Sequence, residues 1–192
     1  DFDDVLLVLS GVLAEYPAIA AEVRDQYRHF VVDEFQDVSP LQFDVLSRWL
    51  GPRDNLCVVG DPAQTIYSFA GADASLLGSL GTSMPEARTI RLVRNYRSSQ
   101  AIVTTANSLL RHTAKSALTL RTDNPVGQQP SMVEYPTDEA EAAGVVDAIS
   151  AEIRAGRRPR NIAVLFRTNG QSPAYEQALA AAGIPYVLRG GE

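Results

Sequence analysis

After about Phe30 the chain alternates short apolar runs with segments of helical spacing, and this alternation constrains the fold more than any other feature. The run HFVV breaks directly into the acidic DEFQD, and the run NLCVV ends in Gly60-Asp61. Between them, Ser39-Pro40-Leu41-Gln42 supplies an N-cap, a proline at the first helical position and a glutamine at the capping-box position. That opens a helix ending near Gly51-Pro52. Strand, helix, strand in this order predicts parallel pairing, because parallel neighbours need a crossover connection. The pattern continues with a helix at ASLLGSL, a strand TIRLV ending in RNYRSS, and a helix over Ala101 to Arg111. The polar stretch RTDNPVGQQP is a loop. Strands MVEY, NIAVLF and YVLR then alternate with helices over Glu139 to Ala155 and Pro173 to Ala182. Upstream, Val5, Leu6, Val8, Leu9, Val12 and Leu13 stand at helical spacing behind an Asp pair able to cap, and a second helix runs from Pro17 to about Tyr27. The expected class is α/β with parallel sheets, in two units divided around Pro85 to Arg88.

With 192 residues, 45% of them hydrophobic, the chain can bury one modest core or two small α/β units. No apolar stretch approaches the roughly 20 residues that span a bilayer, and DFDDVLL lacks the basic start of a signal peptide, so a cytoplasmic protein with no membrane partner is expected. The single Cys57 cannot form an internal disulfide and reads as a small core residue. A net charge of −6 does not announce a nucleic-acid binder, which usually carries a basic face. Global charge, however, does not report a single groove that grips a few nucleotides.

In an open parallel sheet, ligands bind beyond the carboxyl ends of the strands, so the side chains just after each strand can do chemistry. Three such ends are polar here. After HFVV, Asp33 is placed to hold Mg²⁺ and Glu34 to orient or deprotonate a water, the division of labour of a P-loop ATPase; the alternative is a solvated acidic turn. After NLCVV, Gly60 and Pro62 make a tight turn that presents Gln64, an amide able to sense a γ-phosphate. Tyr67 and Phe69 follow; Phe69 offers a face for a nucleic-acid base, although read alone both aromatics fit a core. After TIRLV, an Arg among Arg94 and Arg97 can neutralise charge on a transferring phosphoryl group and Tyr96 can stack on a purine. The alternative there is a basic turn in which Ser98 or Ser99 caps the next helix.

Together DEFQD, GDPAQTIYSFAGAD and LVRNYRS resemble, in order and spacing, motifs II, III and IV of the UvrD/PcrA/Rep branch of superfamily-one helicases. NIAVLFRTNGQSPAYEQALAAAGIPYVLRGG resembles the segment before the large insertion of the second motor domain, and DFDDVLL the segment before motif II. The resemblance implies parts of two RecA-like, P-loop-NTPase-type motor domains, residues 1–85 and 86–192, both incomplete. It implies an ATP-dependent, 3′-to-5′ DNA helicase or translocase of DNA repair or replication, using ATP and Mg²⁺ and acting on single-stranded DNA and duplex junctions. Within it Asp33 would hold the metal, Glu34 handle the water and Gln64 sense the γ-phosphate. Tyr96 would stack on adenine, Arg97 act as an in-cis arginine finger, and Tyr67 and Phe69 line the DNA path. Relatives typically carry Arg where Ala70 stands, which weakens the expected link between ATP and DNA at that point. No GxxxxGK[ST] loop occurs, so the chain reads as an internal fragment that neither hydrolyses ATP nor unwinds DNA alone. The alternatives are a helicase–nuclease subunit of the RecB or AddA type, which shares these motifs, and a catalytically dead binding module that keeps the fold without the P-loop.

Overall fold

In the computed structural model, which describes residues 1–113 and 118–189, helix α1 (Phe2–Glu15) starts at a capping box built on Asp1, whose carboxylate accepts the Asp4 N–H at 2.9 Å. The expected Asp pair therefore lies inside the first turn, where negative charge suits the positive end of the helix dipole, and Asp1 is the cap. Leu13 and Ser10 are buried and Leu6, Leu9 and Val12 half-buried, while Val5 and Val8 remain exposed, so most but not all of the apolar face seen in the sequence is covered. Ser10 Oγ donates to Asp44 on α3 (Pro40–Leu50), and Arg48 Nε donates to the same carboxylate at 2.8 Å. These bonds hold the Asp44 carboxyl below its ordinary range, the Arg48 bond contributing most.

Helix α2 (Pro17–Gln26) takes Pro17 at its first turn and leads into strand β1 (Phe30–Val32). Helix α3 begins as expected, with Ser39 and Gln42 exchanging side-chain and backbone bonds, and leads into strand β2 (Leu56–Val58). The two strands pair in parallel with register Phe30↔Leu56, Val31↔Cys57 and Val32↔Val58. Successive side chains alternate between faces. Phe30 therefore turns towards α3, its ring 5.7 Å from that of Trp49, while Val31 and Cys57 share the opposite, exposed face. Cys57 is thus a surface residue and not a core one: the described sheet has two strands, and helices cover only one of its faces.

Arg53, on the loop from α3 to β2, ties this framework together. Its guanidinium donates to the carbonyls of Leu50 (2.9 Å), Arg24 (2.7 Å), Tyr27 (3.1 Å) and Trp49 (3.2 Å), the C-terminal ends of α3 and α2. A cation is favoured there because the last carbonyls of a helix have no partner within it. Beyond β2, α4 (Ser75–Ser83) buries Leu80 and packs on the 3-10 turn Phe35–Asp37. Helix α5 (Gln100–Thr113) buries Ala101 and Val103.

Chain contacts divide the protein into two compact units, Asp1–Pro130 and Ser131 onward, a division later in the chain than the Pro85 to Arg88 boundary expected between motor domains. In the second unit Thr137 caps α6 (Asp138–Arg154), which packs on α7 (Ser172–Ala181) around Val146, Ile149 and Leu179. Gly144 on α6 lets Tyr135 lie across the helix, since a Cβ there would sit 2.3 Å from the Tyr135 hydroxyl. Tyr175 of α7 is buried, stacks on Phe166 at 6.1 Å and donates its hydroxyl to Glu141 at 2.6 Å.

The expected strands TIRLV, MVEY, NIAVLF and YVLR form no ladder among the described residues. TIRLV is followed by a lone parallel bridge, Arg94 to Arg121, and Ile162 and Val164 pack beneath α6 and α7 without a neighbouring strand. An apolar run records a preference for a pleated, half-buried surface, but a strand exists only where a second backbone accepts its hydrogen bonds. Among the described residues, no single helix is long and apolar enough to cross a membrane.

Candidate nucleotide site

The carboxyl ends of β1 and β2 lie side by side, and their loops are joined by hydrogen bonds. Phe35 N–H donates to the Val59 carbonyl at 2.9 Å, and Val59 N–H to the Val32 carbonyl at 2.8 Å, extending the parallel pairing into the turns. Asp33 follows β1 directly, is exposed, and accepts the Glu34 N–H on Oδ1 at 2.9 Å. Glu34 has φ 51° and ψ 41°, the left-handed region that non-glycine residues seldom occupy, and it is the one non-glycine residue with positive φ among those described. Such backbone strain persists where surroundings over-determine it, and it gathers at functional sites.

Those surroundings are visible. Phe35 is fully buried and meets Phe43 of α3 edge-on, with ring centroids 6.0 Å apart. Gln36, only 1% exposed, donates from Nε2 to Glu34 Oε2 at 2.7 Å and accepts the Asp61 N–H on Oε1 at 3.0 Å. Asp61 in turn caps the 3-10 turn Pro62–Gln64: its carboxylate accepts the Ala63 N–H at 3.0 Å and Gln64 Nε2 at 2.9 Å. Glu34, Gln36, Asp61 and Gln64 therefore form one hydrogen-bonded line across the two strand ends. Gln36 and Asp61 lie inside the DEFQD and GDPAQTIYSFAGAD motifs, two residues after Glu34 and three before Gln64, but the sequence assigns neither a role, because burial of a polar side chain in an irregular turn leaves no periodicity to read.

Tyr67 and Phe69 lie on the surface and not in a core: Phe69 is 77% exposed and the ring centroids are 6.1 Å apart. A short 3-10 turn, Ser68–Ala70, closed at Gly71, presents them. Tyr96 is also exposed, with the Arg94 guanidinium 5.4 Å from its ring centre. Arg94 is engaged by the Asp123 carboxylate, whereas Arg97 is exposed and makes no ion pair among the described residues. Asn95 shapes this turn by accepting the N–H groups of Arg97 and Ser98 at 3.0 and 2.8 Å, so the helix cap expected of Ser98 or Ser99 is preceded by an Asn-anchored turn. Among the described residues, no hydrogen bond, ion pair or ring contact joins the Tyr96–Arg97 turn to the β1 and β2 ends.

Carboxylate oxygens are the donors Mg²⁺ takes, and it is commonly held by one or two of them together with phosphate oxygens and water. Asp33, exposed at the end of β1, has the donor chemistry for that role. Among the described residues no group of three or more acidic, His or Cys side chains could cage a metal, so phosphate and water oxygens would complete the shell.

Residues 1–85 match the UvrD/REP helicase N-terminal domain, and residues 90–192 match the UvrD-like helicase C-terminal domain. The chain belongs to the UvrD-like helicase family. It is 46% identical over 196 aligned residues to the ATP-dependent DNA helicase UvrD2 of Mycobacterium tuberculosis, covering all of this chain and 28% of that protein. It is 34% identical to the ATP-dependent DNA helicase PcrA of Staphylococcus epidermidis and 32% to that of Staphylococcus aureus, again over its full length and 26% of theirs. The chain thus spans between a quarter and a third of the relatives it matches. UvrD-like helicase domains imply a RecA-like fold, with which the parallel β1–α3–β2 unit of this chain agrees.

Proposed function

We propose that this UvrD-like chain supplies part of the ATP site and DNA path of a helicase or translocase that couples ATP hydrolysis to movement on single-stranded DNA. The observation that carries the reading is the bonded line from Glu34 to Gln64 across adjacent parallel strand ends, in a family whose relatives here are named ATP-dependent DNA helicases. In this reading residues 1–85 and 86–192 belong to two RecA-like motor domains. Asp33 holds Mg²⁺, which when bound neutralises charge on the transferring phosphoryl group.

Glu34 orients and deprotonates the attacking water: its carboxylate is exposed, while Gln36 occupies one of its oxygens and fixes its direction. Gln64 turns its amide to the γ-phosphate by exchanging its bond with Asp61 for one to a phosphate oxygen. Tyr96 stacks on adenine, and Arg97, which has no ion pair among the described residues, stabilises the charge that develops on the transferred group. Tyr67 and Phe69 form a stacking platform for successive bases.

The test is Glu34→Gln in a full-length protein containing this sequence, with turnover and ATP binding measured on the same preparation. General acid–base groups contribute about 10²–10⁴-fold, so turnover should fall by that order while ATP affinity is retained. Wild-type-like turnover would remove Glu34 from catalysis.

A further inference from the structure

The line between the strand ends passes through one buried side chain, and its chemistry admits a single orientation. The Gln36 amide faces two carboxylates on one side, Glu34 Oε2 at 2.7 Å and Asp37 Oδ2 at 3.5 Å, and the Asp61 N–H on the other at 3.0 Å. An amide has a donor end and an acceptor end. Only with NH₂ towards the carboxylates and C=O towards the N–H are all these contacts satisfied; the flipped amide would set oxygen against oxygen and N–H against N–H. A carboxylate, a hydroxyl or an alkyl group of this length could not make both contacts at neutral pH. The fit is tight as well as polar. A Cβ added at Gly60 would come 2.8 Å from Gln36 Oε1 and 3.2 Å from the Gln36 backbone nitrogen, so the β2 turn closes on Gln36 only because residue 60 has no side chain.

We infer that Gln36 is a positioning residue that sets the direction of the Glu34 carboxylate and couples it to Gln64 through Asp61. This rests on the hydrolytic reading of Glu34 given above. The bond acts on a residue whose backbone is already in a sparsely populated conformation, where a lost side-chain anchor is poorly compensated. A change at the Gln64 side, where Asp61 Oδ2 holds the Gln64 amide, reaches Glu34 through the Asp61 backbone and the Gln36 side chain, and so links phosphate sensing to water activation.

The experiment uses a full-length protein containing this sequence, with Glu34→Gln, Gln36→Met, Gly60→Ala and the Glu34→Gln/Gln36→Met pair. Gln36→Met keeps length and volume and removes both polar contacts. Misplacement of a reacting group by about 1 Å can cost on the order of 10²-fold, so kcat for ATP should fall by about that factor while KM stays within about twofold. A merely structural role would instead lower the active fraction and the unfolding temperature together. In single-turnover measurements Gln36→Met should cost nothing further on the Glu34→Gln background, because Gln36 acts through a carboxylate already gone. Gly60→Ala, which pushes on the same amide from the other strand end, should lower kcat in the same direction. It also keeps the test open if Gln36→Met does not fold.

Normal kcat in both Gln36→Met and Gly60→Ala, with Glu34→Gln inactive, would overturn the inference and leave the hydrolytic reading standing. Equal losses from Gln36→Met with and without Glu34→Gln would do the same. Full turnover in Glu34→Gln would overturn the hydrolytic reading first, and the inference with it.

Discussion

Replacing Arg53 by Met should destabilise the first unit by roughly 3 kcal/mol, and the figure follows from three of its four bonds. The guanidinium donates to carbonyls of Leu50, Arg24, Tyr27 and Trp49, and all but the Tyr27 bond are at least partly buried. A hydrogen bond to a charged group contributes about 1.5–3 kcal/mol net, but water can rehydrate part of the freed helix ends, so about 1 kcal/mol is taken for each of the three sheltered bonds. Met keeps most of the apolar stem, which separates lost bonding from lost packing. Lys should recover only part, because an ammonium cannot fork to four carbonyls set by two helices.

The assay is urea unfolding of the 192-residue chain followed by fluorescence of Trp49, its only tryptophan, which sits 5.4 Å from the Tyr27 ring and 5.7 Å from that of Phe30. The midpoint should fall with the slope unchanged. A shift equivalent to less than about 0.5 kcal/mol, the range of ordinary surface substitutions, would mean that the Arg53 bonds do not hold α2 and α3 to the strands.

Arg97→Ala in a full-length protein should lower ATP turnover by a factor on the order of 10³, whereas Tyr96→Ala should mainly raise KM for ATP; unchanged turnover in the Arg97 variant would leave a basic turn and nothing more. Phe69→Ala should weaken single-strand DNA binding, or uncouple stepping, by about 1–3 kcal/mol, read by fluorescence anisotropy and translocation rate, while Ala70→Arg is tolerated. In the second unit, the bond to Glu141, followed by burial and by the charges of Glu141 and Asp138, pushes the Tyr175 hydroxyl up to about 12. The neutral phenol is therefore the stabilising form: its contribution is complete below the ordinary value near 10 and is lost as pH rises from there through 12. Tyr175→Phe should flatten that alkaline loss of stability, and an identical pH profile in the variant would assign the loss to other groups.

Local rules written along the chain determined the helices, and the structure agrees closely with them. Ser39, Pro40 and Gln42 open α3 where capping chemistry requires, and Thr137 closes the start of α6. The motifs at the strand ends were legible for the same reason, since each sits where an apolar run stops and a polar turn begins. The strand–helix–strand order predicted the parallel β1–β2 pair, but what the sequence could not decide was which of the later apolar runs would find a partner. HFVV and NLCVV became β1 and β2 because α3 returns the chain beside its own start, whereas NIAVLF, of equal apolar character, has no described backbone to receive its bonds. Burial was likewise a property of neighbours: Cys57 and Val31 alternate out of a sheet covered on one side, and Tyr67 and Phe69 lie outside any core. Gln36 makes the point most sharply. Its place two residues after Glu34 is visible in the sequence, but its role depends on Gly60 and Asp61 arriving from a second strand, and a residue's partners across a sheet are set only when the chain has folded.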